Sequence, residues 1–156
     1  MHQLAQKRIV LIEDHDELRT QLHQVLALAG YEVWSAENGG RGVELIRDRR
    51  PDLVITDLQT PGKDGFHVLM VMRDDFRAIK SLVISTGGAF GSMDSLKLSQ
   101  ILGATEVLSK PFAIIELLVR VARLIGPARE AADLALPLQD MRPPAVPLAL
   151  NLGRSS

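Results

Sequence analysis

Apolar residues along the first 126 positions fall into two alternating kinds of run. Ile9 to Ile12, Leu53 to Asp57, Leu82 to Ser85 and Val107-Leu108 are short and bounded by polar or turn residues, which suits strands covered on both faces. Between them, apolar residues recur at helical spacing. Leu18, Leu22, Val25, Leu26 and Ala29 mark a first helix that stops at Gly30, a natural helix C-terminal residue. Tyr31 to Ser35 alternates like an edge strand, and Asn38 is placed to cap a second helix that uses Val43 and Ile46 and closes on Arg47-Asp48-Arg49-Arg50. Pro51-Asp52 turns the chain into the strand ending at Asp57, and Thr60-Pro61-Gly62-Lys63-Asp64-Gly65 is a loop by its proline and glycine content. A helix then runs through Phe66, Leu69, Met70 and Met72 to Arg73. The strand from Leu82 to Ser85 leads into a glycine-rich loop, Gly87 to Gly91, and a helix through Leu96, Ile101 and Leu102 stopped at Gly103. Ile114, Leu117, Leu118, Val121, Leu124 and Ile125 make a last amphipathic helix, ended by Gly126-Pro127. Five strands alternating with helices predict an α/β fold: a parallel sheet with helices on both faces.

Composition narrows the class. A chain of 156 residues that is 46% hydrophobic can bury one sizeable core, which predicts one domain over residues 6–126. The formal charge is −1 and the 18 basic residues are spread out, so neither nucleic acid nor an anionic membrane is an expected partner. Only four consecutive apolar residues precede the acidic cluster near the N-terminus, too few for a signal peptide, and Glu116, Arg120 and Arg123 interrupt the most apolar C-terminal stretch before it could span a bilayer. The absence of cysteine excludes disulfides and thiolate metal sites. A soluble, cytoplasmic protein is the expectation. From Pro127 to Ser156 the character changes to five prolines among alanines and leucines, with no period sustained along the segment. This reads as a flexible tail, or as a short segment that docks on the domain or on a partner, and it leaves no room for a DNA-binding output domain.

The chemistry concentrates at strand ends. In an open parallel sheet, ligands bind beyond the carboxyl ends of the strands, where strand order reverses. The first strand ends at Glu13-Asp14, the third at Asp57, the fourth at Ser85-Thr86 and the fifth at Lys110. Singly, each has an ordinary explanation: an acid pair at a helix start, a turn aspartate, a solvated lysine. Together they set three carboxylates, a hydroxyl and an ammonium on one rim. Carboxylates so crowded repel one another unless a cation sits among them, and Mg2+, which prefers one or two carboxylates with water and phosphate oxygens, fits better than zinc. A carboxylate neutralised in this way can act as a nucleophile towards phosphorus. His15, His23 and His67 show no ligand pairing and read as ordinary polar residues.

The segments Arg8-Ile-Val-Leu-Ile-Glu13-Asp14, Asp52-Leu-Val-Ile-Thr-Asp57-Leu-Gln-Thr-Pro61-Gly-Lys-Asp64-Gly65, Leu82-Val-Ile-Ser85 and Val107-Leu-Ser-Lys110-Pro111-Phe112 resemble the receiver domains of bacterial two-component response regulators. The resemblance implies the flavodoxin-like, doubly wound strand order 2-1-3-4-5. It implies Asp57 as phosphoacceptor, Asp14 as a direct Mg2+ ligand, Glu13 as a ligand through water and the Gln59 backbone carbonyl as a further ligand. Lys110 is then the cation beside the phosphoryl group, held by a cis Lys110-Pro111 bond, and Ser85 the switch hydroxyl, with Thr86 as the alternative. The partners implied are a histidine kinase or histidine phosphotransfer protein as donor, and a downstream protein whose affinity the phosphoryl group changes. The module catalyses only its own phosphorylation and dephosphorylation and is not otherwise an enzyme. Two competing readings are a haloacid-dehalogenase-like phosphatase, which needs a second acid where this chain has Gln59, and an interaction domain that is never phosphorylated. The pattern departs from the family at Val107, where an aromatic switch residue is common, and at Thr60, where an apolar residue is usual. The Gly87–Gly91 loop and the last helix, with Arg120 and Arg123, are then the expected output face.

Overall fold

The computed structural model describes residues 6–58, 64–85, 97 and 100–128. The elements are β1 (Arg8–Ile12), α1 (Asp16–Leu28), β2 (Glu32–Ala36), α2 (Gly39–Arg49), β3 (Leu53–Asp57), α3 (Asp64–Asp75), β4 (Lys80–Ser85), β5 (Glu106–Ser109) and α4 (Ile114–Ile125). The strands form one parallel sheet in the order β2-β1-β3-β4-β5, as the alternation of runs and the family resemblance predict. Strand boundaries shift by one or two residues from the apolar runs, because backbone pairing extends into polar positions: Arg8 opens β1, and Lys80-Ser81 opens β4.

Strand side chains alternate between two packed layers. Ile9, Leu11, Leu53, Ile55, Leu82, Ile84 and Leu108 face Leu18, Leu22 and Leu26 of α1 and Leu117, Val121 and Leu124 of α4. Val10, Ile12, Ala36 and Val54 face Val43, Leu45 and Ile46 of α2 and Val68 and Met72 of α3. A smaller cluster of Leu58, Leu69 and Val83 continues this second layer towards Phe66 and Val107. Central strands buried on both faces explain why they read as continuous apolar runs.

Helix ends follow the expected stop and start residues. Asn38 caps α2 by accepting from the Arg41 N–H, and Gly126 ends α4 at a φ of 84°. The start of α1 departs from expectation: His15, taken as an ordinary polar residue, is its N-cap, and its Nδ1 accepts from the Leu18 N–H. His23 is bonded to Ser35 of the edge strand, whereas His67 is exposed. The helix expected through Leu96 to Leu102 lies mostly outside the described residues, although Gln100 and Ile101 are helical and Gly103 has the φ of 86° expected of a stop. The Gly87–Gly91 loop and the segment 129–156 also lie outside them. No helix among the described residues is long and apolar enough to cross a membrane.

One contact fixes how closely α2 approaches β1. A Cβ added at Gly42 would lie 2.2 Å from the Ile12 side chain, which is itself enclosed in the core. Gly42→Ala should therefore destabilise the fold by about 1–3 kcal/mol, as overpacking does. Denaturant unfolding would show this as a lower midpoint at unchanged slope, and an unchanged midpoint would show that Ile12 can yield.

Candidate functional site

Strand register brings the chemistry together. Ile12 pairs with Thr56, so Glu13 and Asp57 stand level on adjacent strands, and Asp57 pairs with Ile84, one residue before Ser85. Ser85 pairs with Ser109, and the Lys110 N–H donates to the Ser85 carbonyl at 2.7 Å. After β1 the chain goes to β2 on one side and returns across β1 to β3 on the other, so the β1/β3 boundary is the point where strand order switches. A crevice of about 650 Å³ opens there, lined by Glu13, Asp14, His15, Asp16, Glu17, Leu18, Asp57 and Lys110.

The ammonium of Lys110 donates to Asp57 Oδ2 at 2.6 Å and lies 4.0 Å from Glu13 Oε2. The Lys110-Pro111 peptide is cis, as the family resemblance implies. Glu13 and Asp57 are buried, Asp14 is exposed, and Ser85 is enclosed completely. Among the described residues one ammonium thus stands against three carboxyl groups, and the imbalance appears at Glu13. Burial, followed by hydrogen bonding with and repulsion from Asp57, pushes its carboxyl up to about 8, against the opposing pull of Lys110. Its Oε1 accepts from the His15 N–H, while its buried Oε2 has no hydrogen-bond partner among the described residues.

That orphaned oxygen is what a cation site with its charge unfilled should show. Oxygens from Glu13, Asp14 and Asp57 lie within 4.8 Å of one another. Two oxygens on one Mg2+ lie no more than about 4.2 Å apart, so a small side-chain adjustment, or a water carrying Glu13, brings the group to coordinating distance. The donors are all hard carboxylate oxygens, which suits Mg2+ over zinc or copper. Gln59 and Thr86 lie outside the described residues, so the expected carbonyl ligand and the alternative hydroxyl are not located.

Two supporting residues escaped the sequence reading. Arg19 on α1 donates from Nη1 to the Glu13 carbonyl at 2.9 Å and pairs with Asp16, holding the β1–α1 turn in place. Gly65 lies where an added Cβ would meet the Asp57 carbonyl oxygen at 2.6 Å and the Leu58 Cα at 2.9 Å, so only glycine lets α3 rest against the Asp57 backbone. On the last helix, which the sequence offers as part of an output face, the charges of Arg120 and Arg123 are held locally. Both guanidiniums bind Glu106 of β5, at 3.2 and 2.7 Å, and Arg120 also pairs with Glu116 and donates to the Val107 carbonyl.

A doubly wound sheet with a cation-ready carboxylate site at its switch point is one class of protein among the flavodoxin-like folds. Residues 9–122 match the response regulator receiver domain, and the chain belongs to that family. It is 31% identical over 114 residues to sporulation initiation phosphotransferase F of Bacillus subtilis (strain 168), covering 73% of this chain and 90% of that relative. It is 33% identical over 118 residues to response regulator MprA of Mycobacterium sp. (strain KMS), covering 76% of this chain but 50% of MprA, so it matches half the length of that relative. Among solved structures, Vibrio cholerae chemotaxis protein CheY4 superposes with a TM-score of 0.67 at 26% identity, over 77% of this chain and 99% of that one. This is therefore a receiver domain of the two-component response regulator type.

The raised Glu13 carboxyl makes stability depend on pH when no divalent cation is present. Folding lifts this group from 4.5 to about 8, so it contributes fully below pH 4.5 and its contribution is lost as pH rises through about 8. Thermal midpoints of the cation-free protein should fall between about pH 5 and about pH 9, and Glu13→Gln should flatten that slope. An undiminished slope in the variant would place the proton elsewhere.

Proposed function

We propose that this receiver domain accepts a phosphoryl group on Asp57 in a Mg2+-dependent reaction and thereby changes its affinity for a protein partner. The observation that carries the reading is the 2.6 Å contact from Lys110 to Asp57 inside a cluster of three carboxylates. Lys110 holds Oδ2, so attack by the other carboxylate oxygen on phosphorus leaves that contact in place. A bond forms between the Asp57 oxygen and phosphorus as the bond from phosphorus to the donor's histidine nitrogen breaks, and the imidazole, protonated on its other ring nitrogen, leaves neutral. Negative charge gathers on the equatorial phosphoryl oxygens in this step, and the Lys110 ammonium stands where it can follow that charge.

Asp14 and Asp57 would hold Mg2+ directly, with Glu13 through water and the Gln59 carbonyl completing the protein's share. The ion would supply charge neutralisation and a fixed orientation for the incoming phosphate. Glu13 then gives up the proton that its burial otherwise retains. Ser85, with Thr86 as the alternative, is the hydroxyl drawn to the phosphoryl oxygens, and movement of its loop passes the signal on, because Val107 offers no aromatic ring to rotate. Likeness to a protein named as a phosphotransferase, over 90% of that protein's length, supports the phosphoryl-transfer reading. A histidine kinase or a histidine phosphotransfer protein is the donor on this account, and the module works in the cytoplasm.

With acetyl phosphate and Mg2+, the wild type should take up acid-labile phosphate, whereas Asp57→Asn should take up none while keeping its fold, because the amide is nearly isosteric but a poor nucleophile. Undiminished uptake by the variant would sink the assignment. In a Mg2+ titration without phosphate, Asp14→Ala should weaken binding more than Glu13→Ala, since a direct ligand loses more than one acting through water. Equal or reversed losses would reject that division of roles. Ser85→Ala should blunt the phosphorylation-dependent change in partner affinity far more than Thr86→Ala, and the opposite ranking would move the switch to Thr86.

A further inference from the structure

Helix α4 carries more apolar surface than the domain beneath it can cover. Ile114, Leu117, Val121 and Leu124 are buried against the sheet. Beside that stripe runs a second one, Ile115, Leu118, Val119 and Ala122, at the i, i+3, i+4, i+7 spacing of a single helix face. Ile115 is 66% exposed and Val119 54%, with Leu118 and Ala122 half-buried. The charges flanking this stripe are taken up locally, since Arg120 and Arg123 bind Glu106 and Arg120 also pairs with Glu116. A strongly charged partner would find little to hold there. Four side chains also fall far short of the roughly 20–30 residues a side that a stable protein interface uses. The stripe fits a short, mostly apolar occupant of little net charge.

The chain itself supplies one. Beyond α4 the path is anchored: the Tyr31 hydroxyl donates to the Gly126 carbonyl, Lys80 donates to the Leu124 carbonyl, and Ala128 is packed into the core. The sequence that follows, Ala131-Ala-Asp-Leu134-Ala-Leu136-Pro-Leu138, places leucines at every second position, which puts them on one side of an extended backbone. Over residues 129–156, Arg129, Arg142 and Arg154 balance Glu130, Asp133 and Asp140. Alternate residues of an extended chain repeat at about 6.6 Å, close to the roughly 5.4 Å rise between successive helical turns. Residues 132–138 can extend about 23 Å, enough to run back along the roughly 18 Å length of α4.

We propose that Leu134, Leu136 and Leu138 dock in cis on Ile115, Leu118, Val119 and Ala122, so that this chain's own C-terminal segment covers the outer face of α4. A partner that uses this face must first displace the segment. The inference rests on α4 and the sequence after it, and stands independently of the chemistry at Asp57.

Because the chain has no cysteine, engineered thiols give a clean test. The full-length variant Val119→Cys/Leu136→Cys, oxidised at low protein concentration, should form an intramolecular disulfide at least tenfold faster than Val119→Cys/Ser155→Cys, whose second thiol shares the tether but not the docked segment. Adding Leu134→Asp and Leu138→Asp to the first pair should slow it to the rate of the second. Equal rates for the two cysteine pairs would show that a tethered thiol merely samples α4 and would overturn the proposal. Disulfide-linked dimers whose yield rises with concentration would assign the stripe to a second copy, and would overturn it too.

Discussion

The site depends on one electrostatic imbalance: among the described residues, one largely buried ammonium, that of Lys110, is set among three carboxyl groups. Lys110 holds Asp57 at 2.6 Å but reaches Glu13 only at 4.0 Å, and Glu13 Oε2 has no hydrogen-bond partner among the described residues. A buried carboxylate in this position must take a proton or acquire a cation, and the rise of Glu13 to about 8 is the protonated alternative. On the proposed function, the same deficit is what a divalent ion and the charge of an incoming phosphoryl group would use. A rim neutralised fully by a second lysine would be more stable and would lose both capacities.

The rest of the fold serves to maintain that imbalance. Parallel pairing sets Glu13 beside Asp57, and the backbone bond from Lys110 to Ser85 fixes the end of β5 against β4. Arg19 fastens the carbonyl of Glu13 from α1, and Gly65 lets α3 pack onto the backbone of Asp57. The two apolar layers keep the strand ends from separating. A carboxylate cluster on mobile loops would spread apart and lose most of its mutual perturbation, because water screens charges that can move into it.

Much of this was legible in the sequence because it follows from short periods. Continuous runs such as Ile9 to Ile12 marked buried strands, and the residue ending each run marked the rim, which is how Glu13, Asp14, Asp57, Ser85 and Lys110 were found. Contacts made by long side chains across elements were not legible. Nothing local in the sequence shows that Arg19 reaches back to a backbone carbonyl, or that Arg120 and Arg123 pair with Glu106. His15 as a helix cap was missed because histidine is an uncommon cap whose role depends on the turn made by the acidic pair before it. Gly65 showed its proline-spaced motif in the sequence, but the reason for glycine there, a close approach to the Asp57 backbone, exists only in three dimensions.

Which carboxylate receives the phosphoryl group decides whether Asp57 is the acceptor. Trapping by borohydride answers this directly, because reduction of an aspartyl phosphate leaves homoserine at the modified position. After incubation with acetyl phosphate and Mg2+, peptide mass spectrometry should find homoserine at position 57 and nowhere else, and chelation of the metal should abolish it. Homoserine at position 14, or equal trapping at position 57 with the metal removed, would contradict the account.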